Sequence, residues 1–243
     1  MNQVIDLLKN HRSIRQFKDE PISDSMLKSI IESAEHAATS NFIQAYSIIR
    51  VTNKENRKLL AEFSGAQPWI EACPVFLVFC ADLKRAEDAC IIEQKEMDSG
   101  YAEQFIVATV DATLAAQNAM IAAESLGLGG VFIGGIRNEP EKVCDLLRLP
   151  NHVYPVFGMC LGHPAETPEQ KPRLPVKNIL KDEYYHENKA DLTQYNKTCK
   201  DYYESRTSGS RDETWTNQIA KMVSVPARPH MQDFLNKRGF LTK

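Results

Sequence analysis

His11, Arg12, Ser13 and Arg15 crowd into five positions near the start of the chain, with the apolar Ile14 and Phe17 beside them. Cations and a hydroxyl at that density suit an anion-binding edge better than a core segment. A second group, Lys171-Pro172-Arg173-Leu174-Pro175, sets two cations on a backbone that its prolines hold extended. A phosphate offers several acceptor oxygens, and imidazole, hydroxyl, ammonium and guanidinium groups are suitable donors to them. If folding joins the two groups, His11, Ser13, Lys171 and Arg173 make a phosphate site, and Arg15 is left for another task. Taken alone, each group also reads as a solvated charged surface.

Other candidates sit at the ends of predicted elements. Gly134-Gly135 closes an apolar strand-like run and is followed by the polar Arg137 and Asn138. A backbone without Cβ would let a flat ligand approach there, although a plain strand-to-helix turn gives the same pattern. Ser40, Asn41 and Gln44 follow a helix end, where they can cap it or serve as ligands. Gln67 and Trp69 either close the preceding helix or face a bound group. The glycines of Gly127-Leu128-Gly129-Gly130 precede a strand and have Phe132 at the sixth position, so they read as a helix stop rather than a dinucleotide fingerprint. The histidines outside the first cluster have no zinc spacing, and no G-x-S-x-G exposes a nucleophile.

These residues need elements to hold them, and the periodicity supplies the elements. Leu27, Ile30, Ile31, Ala34 and Ala38 repeat at helical spacing behind a serine cap, which predicts a helix over 23–38. Strands are predicted at 45–51, 74–81, 129–135 and 153–162, the second apolar throughout and therefore buried on both faces. Helices are predicted at 54–64, where Gly65 closes the element, at 84–97, and from Pro140. The longest helix is predicted at 101–126 and carries alanine on nearly every face, so close packing against other helices is its expected role. After residue 163 the composition turns to loop and charged helix, with a final helix near 232–237 and too few apolar residues for independent folding.

A length of 243 residues suits one well-buried core, and the net charge of −3 argues against nucleic acid as the main partner. No run approaches about 20 consecutive apolar residues, and the opening Met1-Asn2-Gln3-Val4 is unlike a signal peptide. The six cysteines are scattered without a C-x-x-C pair and are expected to be reduced, buried thiols. A cytoplasmic protein without membrane contact or bound metal is expected.

The segments His11-Arg12-Ser13-Ile14-Arg15, Ser40-Asn41 with Gln44, Gln67-Pro68-Trp69, Phe132-Ile133-Gly134-Gly135-Ile136-Arg137-Asn138 and Lys171-Pro172-Arg173-Leu174-Pro175 occur in the order seen in the nitroreductase superfamily. The chain resembles its NADPH-dependent flavin reductase and oxygen-insensitive nitroreductase branch over almost its whole length, including a tail with Arg206, Arg211, Trp215 and Arg228. The resemblance implies an α+β fold with a mixed central sheet flanked by helices. Residues 1–243 would form a single flavin-binding domain, and the extended loop and helices of 163–243 would reach over the partner in a homodimer.

FMN is the implied cofactor, NADPH the donor, and free flavin, nitroaromatics or quinones the acceptors, alternating over one flavin face. The implied cofactor ligands are His11, Arg12, Ser13, Arg15, Ser40, Asn41, Gln44, Gln67, Trp69, Phe132, Ile133, Gly134, Gly135, Lys171 and Arg173. Arg15 would also be catalytic, stabilising the negative charge that gathers on reduced flavin. Arg206, Arg211 and Arg228 would clamp the 2′-phosphate of NADPH. Two other readings remain open: a flavin- or phosphate-binding carrier or sensor without turnover, and a same-fold enzyme that does not use NADPH.

Overall fold

Val75–Asp82 (β2) turns alternate side chains into two different apolar clusters, so the strand has no solvent face. The computed structural model describes residues 2–187, 189–206 and 211–243. With Tyr46–Arg50 (β1), Gly129–Ile133 (β3) and Val153–Gly162 (β4), this strand makes a four-stranded sheet in the order β1-β2-β4-β3. All three pairings are antiparallel, and parallel pairing enters at an isolated bridge between Ser13 and Gly130. The strands match the predicted apolar runs to within a residue or two. The exception is the end of β3, where Gly134–Arg137 tightens into a 3-10 turn.

Helices cover both faces. On one side Asp24–Glu35 (α2) and Ala102–Ser125 (α6) bury Ile30, Ala34, Ala115, Ala119 and Met120 against Leu77, Phe79 and Met159. On the other, Lys54–Phe63 (α3), Trp69–Ala72 (α4) and Pro140–Leu147 (α7) pack Leu60, Ile70 and Val143 against Phe76, Val78 and Ile133. Each fully buried side chain of that size contributes about 1.5 to 3 kcal/mol. The Ser23 hydroxyl accepts from the Met26 N–H and caps α2, as expected. Gln3–Lys9 (α1) precedes the cation-rich segment at 11–17, and Lys84–Ile92 (α5) ends earlier than its charge pattern suggests.

The long helix α6 has enough length and apolar content to cross a membrane, but its alanine face is fully buried in the protein core. Alanine lets its backbone approach α2 and the sheet. Its other face leaves Ile106, Val110 and Leu114 exposed at four-residue spacing.

The chain divides into two compact units, residues Met1–Thr167 with Arg228–Lys243, and residues Pro168–Ala227. The predicted 163–243 tail is therefore split. Met231–Lys237, which becomes α11 after the helices of the second unit, buries Phe234 and Leu235 with Phe240 in the first unit, and Lys243 pairs with Asp98 there. The second unit holds Val176–Ile179 (α8), Lys189–Ser205 (α9) and Trp215–Val223 (α10), built around Tyr195, Cys199 and Tyr203. Among the described residues the six cysteines are free, and all but Cys90 are buried.

Candidate active site

The segment at residues 11–17 docks as an extra edge on β3. Ile14 N–H donates to Gly130 O at 2.9 Å, Lys18 N–H donates to His163 O, and Ala165 N–H donates to Gln16 O. Gly129 leaves the room that Ile14 occupies, since a Cβ there would stand 2.6 Å from Ile14 Cγ1. Glu166 closes the edge: one carboxylate oxygen accepts from Arg15 N–H at 2.6 Å and Gln16 N–H at 3.0 Å. With its backbone fixed in this way, the edge turns Ile14 into the core and leaves Ser13 and Arg15 exposed.

Arg15 then meets three of the other expected residues in one run of contacts. Its guanidinium lies over the Trp69 ring, 5.7 Å from the centroid. Trp69 Nε1–H donates to Gln67 Oε1 at 3.1 Å, and Gln67 Nε2–H donates to Ser64 O at 2.7 Å. Gly135 completes the run, because a Cβ there would sit 2.3 Å from both Gln67 Nε2 and Ser64 O. Behind Trp69, Cys160 Sγ–H donates to Trp69 O at 3.5 Å, and burial together with neighbouring Cys73 pushes the Cys160 thiol well up.

The remaining expected ligands are held by contacts of their own. Phe132 is partly exposed and packs edge-on against Phe157 at 5.2 Å, whereas Ile133 is 1% exposed and commits its side chain to the core, leaving its backbone for any ligand. His11 Nδ1 lies 2.6 Å from Glu124 Oε1 on α6. Ser40, Asn41 and Gln44 lie in a separate loop, and among the described residues no hydrogen bond or ring contact joins them to Arg15 or Trp69. That loop is held by Asp111 of α6, which accepts from Thr39 Oγ1–H, Ser40 N–H and Ala45 N–H.

Arg228 Nε–H donates to Asn138 Oδ1 at 2.8 Å beside Arg137, whose pKa is lowered by burial and then by the Arg228 charge. His11 and Ser13 belong to the first unit, whereas Lys171 and Arg173 belong to the second. In the second unit Lys171 and Arg173 line a cavity of about 380 Å³ with Tyr195, Tyr202, Tyr203 and Trp215. Arg206 stacks over Tyr202 and Tyr203 at 6.0 and 5.9 Å, and Arg211 N–H donates to Tyr203 O, so both arginines gather at the end of α9. Thr207, Ser208, Gly209 and Ser210, between the two arginines, lie outside the described residues.

The donor set suits a phosphate-bearing, electron-accepting group. Arg12 Nε is buried without an acceptor, and the Arg15 guanidinium has no carboxylate partner among the described residues. Buried donors without acceptors are unfavourable until an anion or ligand oxygen meets them. Asp111, Glu124 and Glu166 escaped the sequence reading. A lone acid within the alanine-rich stretch was a usable signal for Asp111, since carboxylates are rarely buried without purpose. Nothing local marks Glu166, which meets its partners about 150 residues away in the chain.

A profile of the nitroreductase family matches residues 8–163, and one of the nitroreductase family C-terminal domain matches residues 171–243. The FMN reductase (NADPH) of Bacillus subtilis is 42% identical over 246 residues, covering 99% of each chain. The oxygen-insensitive NADPH nitroreductase of Salmonella typhimurium is 41% identical and covers 100% of both. The solved NADPH:FMN oxidoreductase of Vibrio harveyi, complexed with NAD+, superposes with a TM-score of 0.92 at 38% identity and covers 100% of each chain. NfrA1 of B. megaterium superposes at 0.96 with 48% identity, covering 99% of this chain and 100% of that one.

Proposed function

Because this chain belongs to the nitroreductase family, we propose that its reaction centre is the run of contacts from Arg15 through Trp69 and Gln67 to Gly135. The protein is an NADPH-dependent oxidoreductase that uses FMN to reduce flavin or nitro compounds. Bound FMN supplies the hydride chemistry. The observation that carries the residue assignment is the Arg15 guanidinium, held over Trp69 with no carboxylate to neutralise it. A fixed, unneutralised cation beside a flavin stabilises negative charge arriving on the ring without reorganising at that moment.

Around it, Arg12 and Ser13 offer donors to the phosphate. Glu124 fixes the His11 ring through Nδ1 next to these donors. For Lys171 and Arg173 the support is their sequence motif. Gly134 and Gly135, with the Ile133 backbone and Phe132, border the ring, and Ser40, Asn41 and Gln44 contact the ring or its ribityl chain. Arg206 and Arg211 hold the 2′-phosphate of NADPH, and Arg228 is a third candidate. NADPH and the acceptor take turns at the flavin in a ping-pong cycle, and quinones serve as further acceptors.

The exposed stripe of Ile106, Val110 and Leu114 on α6 is covered by a second copy in a homodimer. The cytoplasm fits six free cysteines.

Adding NADPH to the yellow protein without air tests the reading. The flavin absorption should bleach, and acceptor should restore it; a yellow protein that stays oxidised is a carrier. Replacing Arg206 and Arg211 together by alanine should raise the KM for NADPH about tenfold or more and leave NADH kinetics unchanged. Equal losses with both nucleotides would move the phosphate clamp elsewhere.

A further inference from the structure

Helix α6 buries one carboxylate, Asp111, which is 2% exposed. Such a group is costly to bury, and among the described residues no lysine or arginine pairs with it. Its partners all come from one loop. Oδ2 accepts from Thr39 Oγ1–H at 2.5 Å and Ala45 N–H at 3.0 Å, and Oδ1 accepts from Ser40 N–H at 3.2 Å. Thr39 Oγ1 in turn accepts from Gln44 N–H at 2.8 Å, which adds one more residue between the ends of the loop to the hold.

Between these anchor points Asn41, Phe42 and Gln44 take φ values of 46°, 60° and 51°. Three side-chain-bearing residues in left-handed backbone within four positions are strained, and such strain persists only where the surroundings enforce it. Phe42 is 80% exposed, so its own packing does not. The carboxylate of Asp111 is the buried enforcing group, with the Thr39 hydroxyl as its extension, and Arg85 Nη2–H holds Gln44 O from the solvent side at 2.9 Å.

We infer that Asp111 is a positioning residue for bound FMN, acting through the Thr39 hydroxyl and the loop backbone to aim Ser40, Asn41 and Gln44. The inference rests on the assignment of those three residues to the flavin under the proposed function. Strain confined to the segment that carries them is what a preorganised binding loop requires. A carboxylate serving only to cap the loop would fold it without setting the flavin's surroundings.

The test titrates FMN into apoprotein and follows both affinity and the visible absorption of the bound flavin. Asp111→Asn leaves one acceptor where two oxygens served three donors. It should raise the FMN Kd about tenfold and shift the bound-flavin band, while the apoprotein still unfolds in one cooperative transition. Thr39→Val should act in the same direction, the double variant should be no worse than the stronger single one, and Thr39→Ser should restore the affinity by keeping the hydroxyl.

Wild-type Kd and spectrum in Asp111→Asn would overturn the inference, as would strictly additive effects in the double variant. If Asp111→Asn fails to fold, the Thr39→Val and Thr39→Ser pair decides the matter in the same way. Asn41→Ala and Gln44→Ala separate this inference from the reading beneath it. Should both bind FMN normally while Asp111→Asn does not, the side-chain contacts assigned to the flavin are wrong and Asp111 acts through the loop backbone alone.

Discussion

The edge at residues 11–17 and the loop at residues 39–45 both carry candidate flavin ligands, yet they are held by opposite means. The edge joins the sheet through backbone hydrogen bonds on both sides of Arg15, adds Glu166, and seats Ile14 in the space above Gly129. Its conformation is extended, which any residue adopts without strain. The loop gains little from backbone pairing, bends through three left-handed residues, and hangs on the buried Asp111 carboxylate, with Arg85 Nη2–H donating to Gln44 O at 2.9 Å at its far end. A ladder distributes its hold over many weak and replaceable bonds, whereas a buried charge concentrates the hold in one side chain. The first arrangement tolerates change and the second does not.

Removing the loop's buried anchor is the hardest strain on that contrast. Asp111→Ala leaves the Thr39 hydroxyl and two backbone N–H groups without their acceptor, and should lower apoprotein stability by about 3 kcal/mol or more in urea unfolding. A loss below about 1 kcal/mol would mean that the loop holds itself. The edge has its own weak point in the packing beneath it. Gly129→Val drives a side chain into Ile14 and should cost about 2 kcal/mol, with looser FMN binding as the edge lifts. Unchanged stability and affinity would show that the edge contributes nothing to the site.

Smaller effects sharpen the comparison. Arg15→Ala should keep the fold and melting temperature, because its backbone carries the edge. It should also weaken FMN about tenfold and slow flavin reduction. A normal reductive half-reaction would make Arg15 a surface cation. The least change is expected from Glu166→Gln, whose amide oxygen can still accept from the N–H groups of Arg15 and Gln16. Its stability should stay within about 0.5 kcal/mol of the parent, and a larger drop would place the edge beside the loop as a structure hung on one group.

Much of this architecture was legible in the chain. The apolar runs at 74–81 and 153–162 could only be buried strands, and Leu27, Ile30 and Ala34 marked one face of a helix that Ser23 begins. Gly127, at a φ of +78°, stops the long helix and allows the turn into β3, as its sequence position suggests. Arg15, Gln67, Trp69 and Gly135 were each nameable as candidates, because their types and neighbours were unusual for plain structural positions.

Other features lay beyond local pattern. The split of the tail was hidden, since a charged, loop-rich stretch does not announce that Phe234, Leu235 and Phe240 rejoin the first unit. Ile133 looked like its neighbours in the motif, although the alternation of the strand turns its side chain into the core.

Composition and periodicity determined the elements, the sheet's buried strands and the kinds of side chain available for an anion and a flavin, since these depend on residues close together in sequence. Only the tertiary structure decided which of those side chains meet. Arg15 reaches Trp69, Glu166 reaches the backbone of Arg15, and Asp111 reaches Thr39 across separations of 54, 151 and 72 residues. Such pairings follow from how the sheet and α6 bring distant segments together, and no window along the chain is long enough to contain them.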